Sequence, residues 1–225
     1  MASHHTKKMA LLFVAAGLAS SANAMTTAIT ATNTAGNQEF GGSLGFDFIV
    51  NSTISVTQLG AFDDNGDGFN LDITVGIYSR DDNGTPLDFT DDFAIGGIMG
   101  ATTFTAGNPG TLNGSYRFLD TAGGAITLTP GAYTLNASGY GAGERNGNDG
   151  GLGNWPVTTD DGGGLIEFVG TSRFGDPGTP GAFPASADGG PAVRYGAGNM
   201  VFIPEPSLTS LLGIGLAGLV LRRRR

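Results

Sequence analysis

Cysteine is absent from this chain of 225 residues. That excludes a disulfide framework, a thiolate metal site and a thiol nucleophile. Histidine and lysine are almost as scarce, since His4, His5, Lys7 and Lys8 are the only ones. All four lie in a leading segment that reads as a removable signal, so residues 25–203 are expected to contain no Cys, His or Lys. Nucleophilic triads need an imidazole to take the proton, zinc and copper sites lean on imidazole or thiolate, and Schiff-base chemistry needs a lysine. None of these can be built in the body of the chain, and a non-enzymatic role is the expectation. Glycoside hydrolysis survives, because it needs only two carboxylates about 5–9 Å apart. The body has three glutamates, Glu39, Glu144 and Glu167. Glu144 and Glu167 form the candidate pair, with two solvated surface acids as the plainer reading.

Charge is scarce as well, at 14% of residues, whereas glycine is abundant at 40 positions. Between residues 25 and 203 only Arg80, Arg117, Arg145, Arg173 and Arg194 are basic, against 19 acids, a formal charge of −14. Such a surface repels nucleic acid and anionic lipid and attracts cations.

Long apolar runs are confined to the two ends. Lys7 and Lys8, the apolar stretch Met9 to Ala19 and Ala22-Asn23-Ala24 have the layout of a secretory signal peptide over residues 1–24, with cleavage expected after Ala24. Export through the general secretion machinery follows. At the other end Pro204-Glu205-Pro206 is followed by the apolar run Ser207 to Leu221 and by Arg222, Arg223, Arg224 and Arg225. As a helix, residues 207–221 would span about 22 Å, short of a hydrocarbon core of about 30 Å. The arginines can snorkel to the headgroups and hold the tail in the cytoplasm, which makes a short transmembrane helix in the inner membrane.

Tripeptide, apolar run and terminal arginines resemble the PEP-CTERM sorting signal of Gram-negative bacteria, here over residues 204–225. The resemblance implies recognition by exosortase, a membrane-embedded cysteine protease or transpeptidase that processes its substrates near Pro-Glu-Pro. It also implies a surface or extracellular destination in bacteria that make exopolysaccharide and form biofilms.

The body, residues 25–203, alternates with period two. Leu44, Phe46, Phe48 and Val50 interleave with Gly45, Asp47 and Ile49, and Leu71, Ile73, Val75 and Ile77 interleave with Asp72, Thr74 and Gly76. Each run is expected to bury one face and wet the other. Further strands are expected at Ile54–Phe62, Ala101–Thr105, Ser115–Leu119, Ala125–Leu128, Tyr133–Ser138, Leu165–Val169 and Met200–Ile203, separated by Asn-Gly and Asp-Gly turns. The pattern predicts one all-β domain, an antiparallel β-sandwich or jelly roll with long Gly-rich loops. Residues 139–164 contain so many glycines that they read as a structureless loop, functional or mobile. Residues 42–80 also resemble a secreted bacterial β-sandwich module of unknown function, through Phe46 and Phe48, Leu59-Gly60, Asp67-Gly68 and Val75-Gly76-Ile77. That likeness implies fold rather than activity.

Two binding sites are candidates. Asp63, Asn65 and Asp67, with Gly68 at the sixth position, repeat the first half of a calcium loop, and Asp72 stands at position ten. Position twelve is Thr74 where such a loop carries glutamate, so a Ca2+ shell would need a ligand from elsewhere; an ordinary hairpin turn also accounts for these residues. Trp155 and Tyr140, in the same Gly-rich loop, are the candidate stacking platform for a glycan, which makes a carbohydrate-binding module the alternative function. The competing reading has Trp155-Pro156 anchoring that loop onto the core.

Overall fold

Alternating apolar residues and β-branched side chains with Gly-rich turns commit this chain to strands, and strands with an apolar face must bury it against a second sheet. The computed structural model describes residues 24–85, 87–150 and 153–205. The signal peptide expected at 1–24, all but its last residue, lies outside them, as do Pro206, the expected helix 207–221 and Arg222–Arg225. Among the described residues no helix is long and apolar enough to cross a membrane.

In chain order the strands are β1 (Thr26–Thr27), β2 (Ile29–Ala31), β3 (Leu44–Val50), β4 (Ile54–Phe62), β5 (Ile73–Asp81), β6 (Phe93–Phe104) and β7 (Thr111–Asn113). They continue with β8 (Tyr116–Asp120), β9 (Ile126–Leu128), β10 (Gly131–Ser138), β11 (Val157–Thr159), β12 (Ile166–Phe174), β13 (Ser186–Ala187) and β14 (Gly198–Pro204). One sheet runs β1-β14-β4-β8-β7, with β9 also paired to β4, and the other runs β13-β12-β3-β10-β5-β6. Every pairing within them is antiparallel. A small β11-β2 ribbon lies beside them.

The two sheets meet face to face over a core that includes Phe46, Phe48, Leu135 and Ile77 from one and Ile54, Val56, Leu59 and Phe202 from the other. Gly198 in β14 marks how closely they approach, because an added Cβ would run into Leu135 and come within 3.2 Å of Ala137 on the opposite sheet.

β3 and β4 begin and end at the residues the periodicity indicated. The second alternating run starts later than expected, at Ile73, leaving Leu71 exposed in the preceding turn. β6 begins at Phe93, eight residues before the expected Ala101. Its run through Gly96, Gly97 and Gly100 has no clean alternation, since register shifts bend it along β5.

One expectation fails instructively. β3 does not wet its second face: Gly45 and Asp47 are as buried as Leu44 and Phe46. Residues 87–92 and 175–185 fold back over the outer surface of that sheet. Phe89 there packs under Arg80, with the guanidinium carbon 5.8 Å from the ring centre, and Phe183 under Arg173 at 5.4 Å.

Candidate functional site

The acidic turn leaves the end of β4 as a short 3-10 turn, Asp64–Gly66, in which Asn65 adopts φ +70°. Asn65 is tolerant of that left-handed region, which fits the residue type to the turn. Of the oxygens assigned to calcium, those of Asp63 are already occupied. Asp63 is wholly buried, its carboxylate paired with the Nε of Arg117 and accepting the Gly68 N–H at 3.1 and 3.2 Å. Arg117 also donates to the carbonyls of Gly66 and Gly110. Asp67 and Asp72 are exposed and point to no shared centre, and no group of three acidic residues suited to a metal ion occurs among the described residues. The candidate Asp63, Asn65, Asp67 and Asp72 set is therefore corrected to a turn held by an arginine, because an Arg inside the loop satisfies the charge that Ca2+ would have matched.

Sequence reasoning missed the neighbouring Glu144 as the second clamp of this turn. Its two oxygens accept the N–H groups of Asp64 at 2.9 Å and Asn70 at 3.0 Å, while Asp64 in turn accepts from Gly36 at 2.8 Å. Burial raises the Glu144 carboxyl above its ordinary value, against the two N–H bonds that lower it. A carboxyl raised in the folded state contributes stability that is fully present below its unfolded pKa and is lost as pH rises through the folded one. Urea midpoints are therefore expected to fall as pH climbs above the ordinary carboxylate range, and Glu144→Gln should flatten that fall. A profile unchanged in the variant would remove Glu144 from the account.

Glu144 and Glu167 do not meet. Glu144 sits at the end of the sandwich where β4 finishes, bonded to Asp64, whereas Glu167 pairs with Ile49 beside the β3–β4 connection that crosses from one sheet to the other. The nine residues of β4 separate those ends by roughly 27 Å at 3.2–3.4 Å per residue. That distance is several times what paired carboxylates need. Glu167 instead borders a shallow cleft with Asp160, Asp161 and Phe168.

Trp155 and Tyr140 are corrected too. Trp155 is 1% exposed and Tyr140 2%, so neither offers a ring face to a sugar. Trp155 stands edge-on to Phe62 with centroids 4.9 Å apart and donates its Nε1–H to the Ala35 carbonyl at 3.0 Å. The Tyr140 hydroxyl is shared between the carbonyls of Ala197 and Phe62 at 2.7 and 3.1 Å. Burial pushes that hydroxyl's pKa far upward, so it acts as a fixed donor. The loop around them is not structureless: Gly141 bridges Glu144, Asn146 bridges Gln38, Asn148 bridges Tyr195, and β11 follows.

The five body arginines all carry carboxylate partners: Arg80 with Asp92 and Asp47, Arg117 with Asp63, Arg145 with Glu39, Arg173 with Asp47 and Asp92, and Arg194 with Asp188. Five of the 19 acids are thereby neutralised, and the other 14 carry the body's net charge.

The tail begins inside the fold. Ile203 pairs with Ser55 and Pro204 with Ile54, and the Glu205 N–H donates to the Thr53 carbonyl at 3.1 Å. A β-sandwich whose last strand runs into Pro-Glu-Pro, an apolar run and four arginines has the layout of a tail-sorted envelope protein. Residues 202–225 match the family model of the PEP-CTERM protein-sorting motif, and the chain is a carrier of that signal. The motif marks it for exosortase processing and for export to the envelope and surface of a Gram-negative bacterium. No curated protein and no solved structure matches the chain.

Proposed function

We propose that this is a non-enzymatic structural or interaction protein of the cell surface, released or re-attached by exosortase at its tail and associated with the exopolysaccharide of a biofilm matrix. The sorting signal at residues 202–225 carries the reading. The surface it would present supports it: every body arginine is matched by an acid, so the remaining charge is uniformly negative and the domain stays soluble and unattracted to anionic lipid once freed. Carbohydrate binding through Trp155 and Tyr140 loses its support with their burial. A matrix role then rests on the polar, acidic exterior and its capacity to recruit cations between chains.

The test compares the full chain with a variant in which Arg222–Arg225 are all alanine, each produced in an exosortase-bearing host. The intact chain should lose its tail and appear in the surface and matrix fractions, while the variant should keep its full mass in the membrane fraction. Equal processing and equal fractionation of the two would sink the assignment.

A further inference from the structure

Proteases bind the residues flanking a scissile bond as an extended strand, satisfying its backbone N–H and C=O groups themselves. A segment already paired within a sheet cannot be bound that way until it is stripped out. This is the situation on the upstream side of Pro206. Phe202 is buried and flanked on both edges, by Val56 of β4 on one side and Thr26 of β1 on the other. Ile203, Pro204 and Glu205 are half-buried and continue the pairing to Ser55, Ile54 and Thr53. β4 is held along this same stretch by Leu128 of β9, opposite Ile54, so the partner strand is not an edge that could peel away.

There is also no spacer. Pro206 and Ser207 alone stand between Glu205 and Leu208, the first leucine of the apolar run. Three Cα steps cover at most about 10 Å even fully extended. β1 adds a second constraint, because Thr26 opposite Phe202 lays β1 along the other edge of β14 at the same end of the sheet.

Resting on the exosortase reading above, we propose that the folded domain defines where its own tail is cut. The pairing of Ile203–Glu205 with Thr53–Ser55 shields every bond up to Glu205, so cleavage falls on the tail side of Glu205 and the mature domain keeps β14 whole. In that step the C–N bond beyond Glu205 breaks, the nitrogen leaves protonated as the new amino terminus of the tail, and the carbonyl carbon passes through the enzyme's nucleophile to water or to an acceptor amine. The end of β14 must fray for the enzyme to engage, which makes processing slower than on a free peptide. The sheet thus admits the enzyme at one position and discourages a cut that would remove part of a core strand.

Two measurements on the full chain test this. In an exosortase-bearing host, the intact mass of the mature protein should place its last residue at Glu205 or within two residues beyond it. A variant with eight Gly and Ser residues inserted between Ile203 and Pro204 should be shortened about 5- to 30-fold faster, the factor that corresponds to a fraying cost of one or two kcal/mol. A mature chain ending at or before Pro204, or equal rates for the two chains, overturns the proposal. Hydrogen exchange on the purified chain in detergent reads the shield without any processing: the Glu205 amide should be protected, and an unprotected Glu205 overturns it. Should Glu205 be protected while neither chain is ever shortened, the exosortase reading itself fails and the proposal falls with it.

Discussion

Arg173→Met is expected to lower the unfolding free energy by about 3–5 kcal/mol, a large part of the stability of a domain this size. Arg173 is completely buried on the outer face of the β3-β10-β5 sheet, donating to Asp47 at 2.6 Å and paired with Asp92, which Arg80 also reaches at 2.6 Å. Two arginines and two aspartates balance to zero in a place from which water is excluded. Removing Arg173 leaves two carboxylates facing one arginine, and Asp47→Asn leaves the reverse excess. Either single variant strands a charge where solvation is poor. Removing both leaves Arg80 with Asp92, again neutral, so the double variant should cost less than the two singles together, with a coupling on the order of 1–3 kcal/mol. Urea unfolding of the four chains gives the cycle. Strict additivity would mean that the charges act independently and that the network is only packing.

The same cluster shows where reading the sequence stops. Asp47 lies between Phe46 and Phe48, and alternation can only send it to the face opposite them, which it does occupy. Whether that face is wet depends on residues 87–92 and 175–185, and nothing local to β3 reports them. Their traces in the sequence are two phenylalanines, Phe89 and Phe183, stranded in acidic or Gly-rich segments, and two arginines at strand positions in a body with only five. Arginine is almost never fully buried unless paired, so one on a strand face that loops cover must have an acidic partner there. The cover is also imperfectly satisfied: both amide atoms of Asn136 and the Nη1 of Arg173 are buried without a protein hydrogen bond. The network's value therefore lies in holding the two loops in register rather than in net stability over an apolar core.

The acidic turn is legible as a turn, and the same residues also fit a ligand set, for a related physical reason. Calcium loops and arginine-clamped turns both place Asp, Asn and Gly at alternate positions to aim oxygens inward. What separates them is whether a cation comes from the chain, and Arg117 is more than fifty residues away from Asp63 in sequence. The sorting signal stood out because it is read as a contiguous word at the end of the chain. Its fusion to β14 did not, since pairing with Thr53 and Ile54 is a long-range fact.

Trp155→Ala is the second large effect, expected to cost about 3–5 kcal/mol, with loss of the Phe62 edge contact and of the Ala35 hydrogen bond. The slot that receives the indole is made by Gly147 and Gly196, where an added Cβ at either position would overlap the ring. These two glycines are tied to each other by the Gly196 N–H to Gly147 carbonyl bond at 3.1 Å, so neither backbone can retreat alone. Gly196→Ala should accordingly destabilise the native chain by about 1–3 kcal/mol yet cost little once Trp155 has been replaced by alanine. Trp155 is the sole tryptophan, so its fluorescence follows unfolding of the chains that retain it, and circular dichroism serves the others. A Gly196→Ala cost that persists in the Trp155→Ala background would place its origin in the backbone rather than in the slot. If instead Trp155→Ala left stability intact but abolished retention on exopolysaccharide, the ring would have to leave its slot to bind, and the glycan-stacking role would return in a form that requires the loop to open.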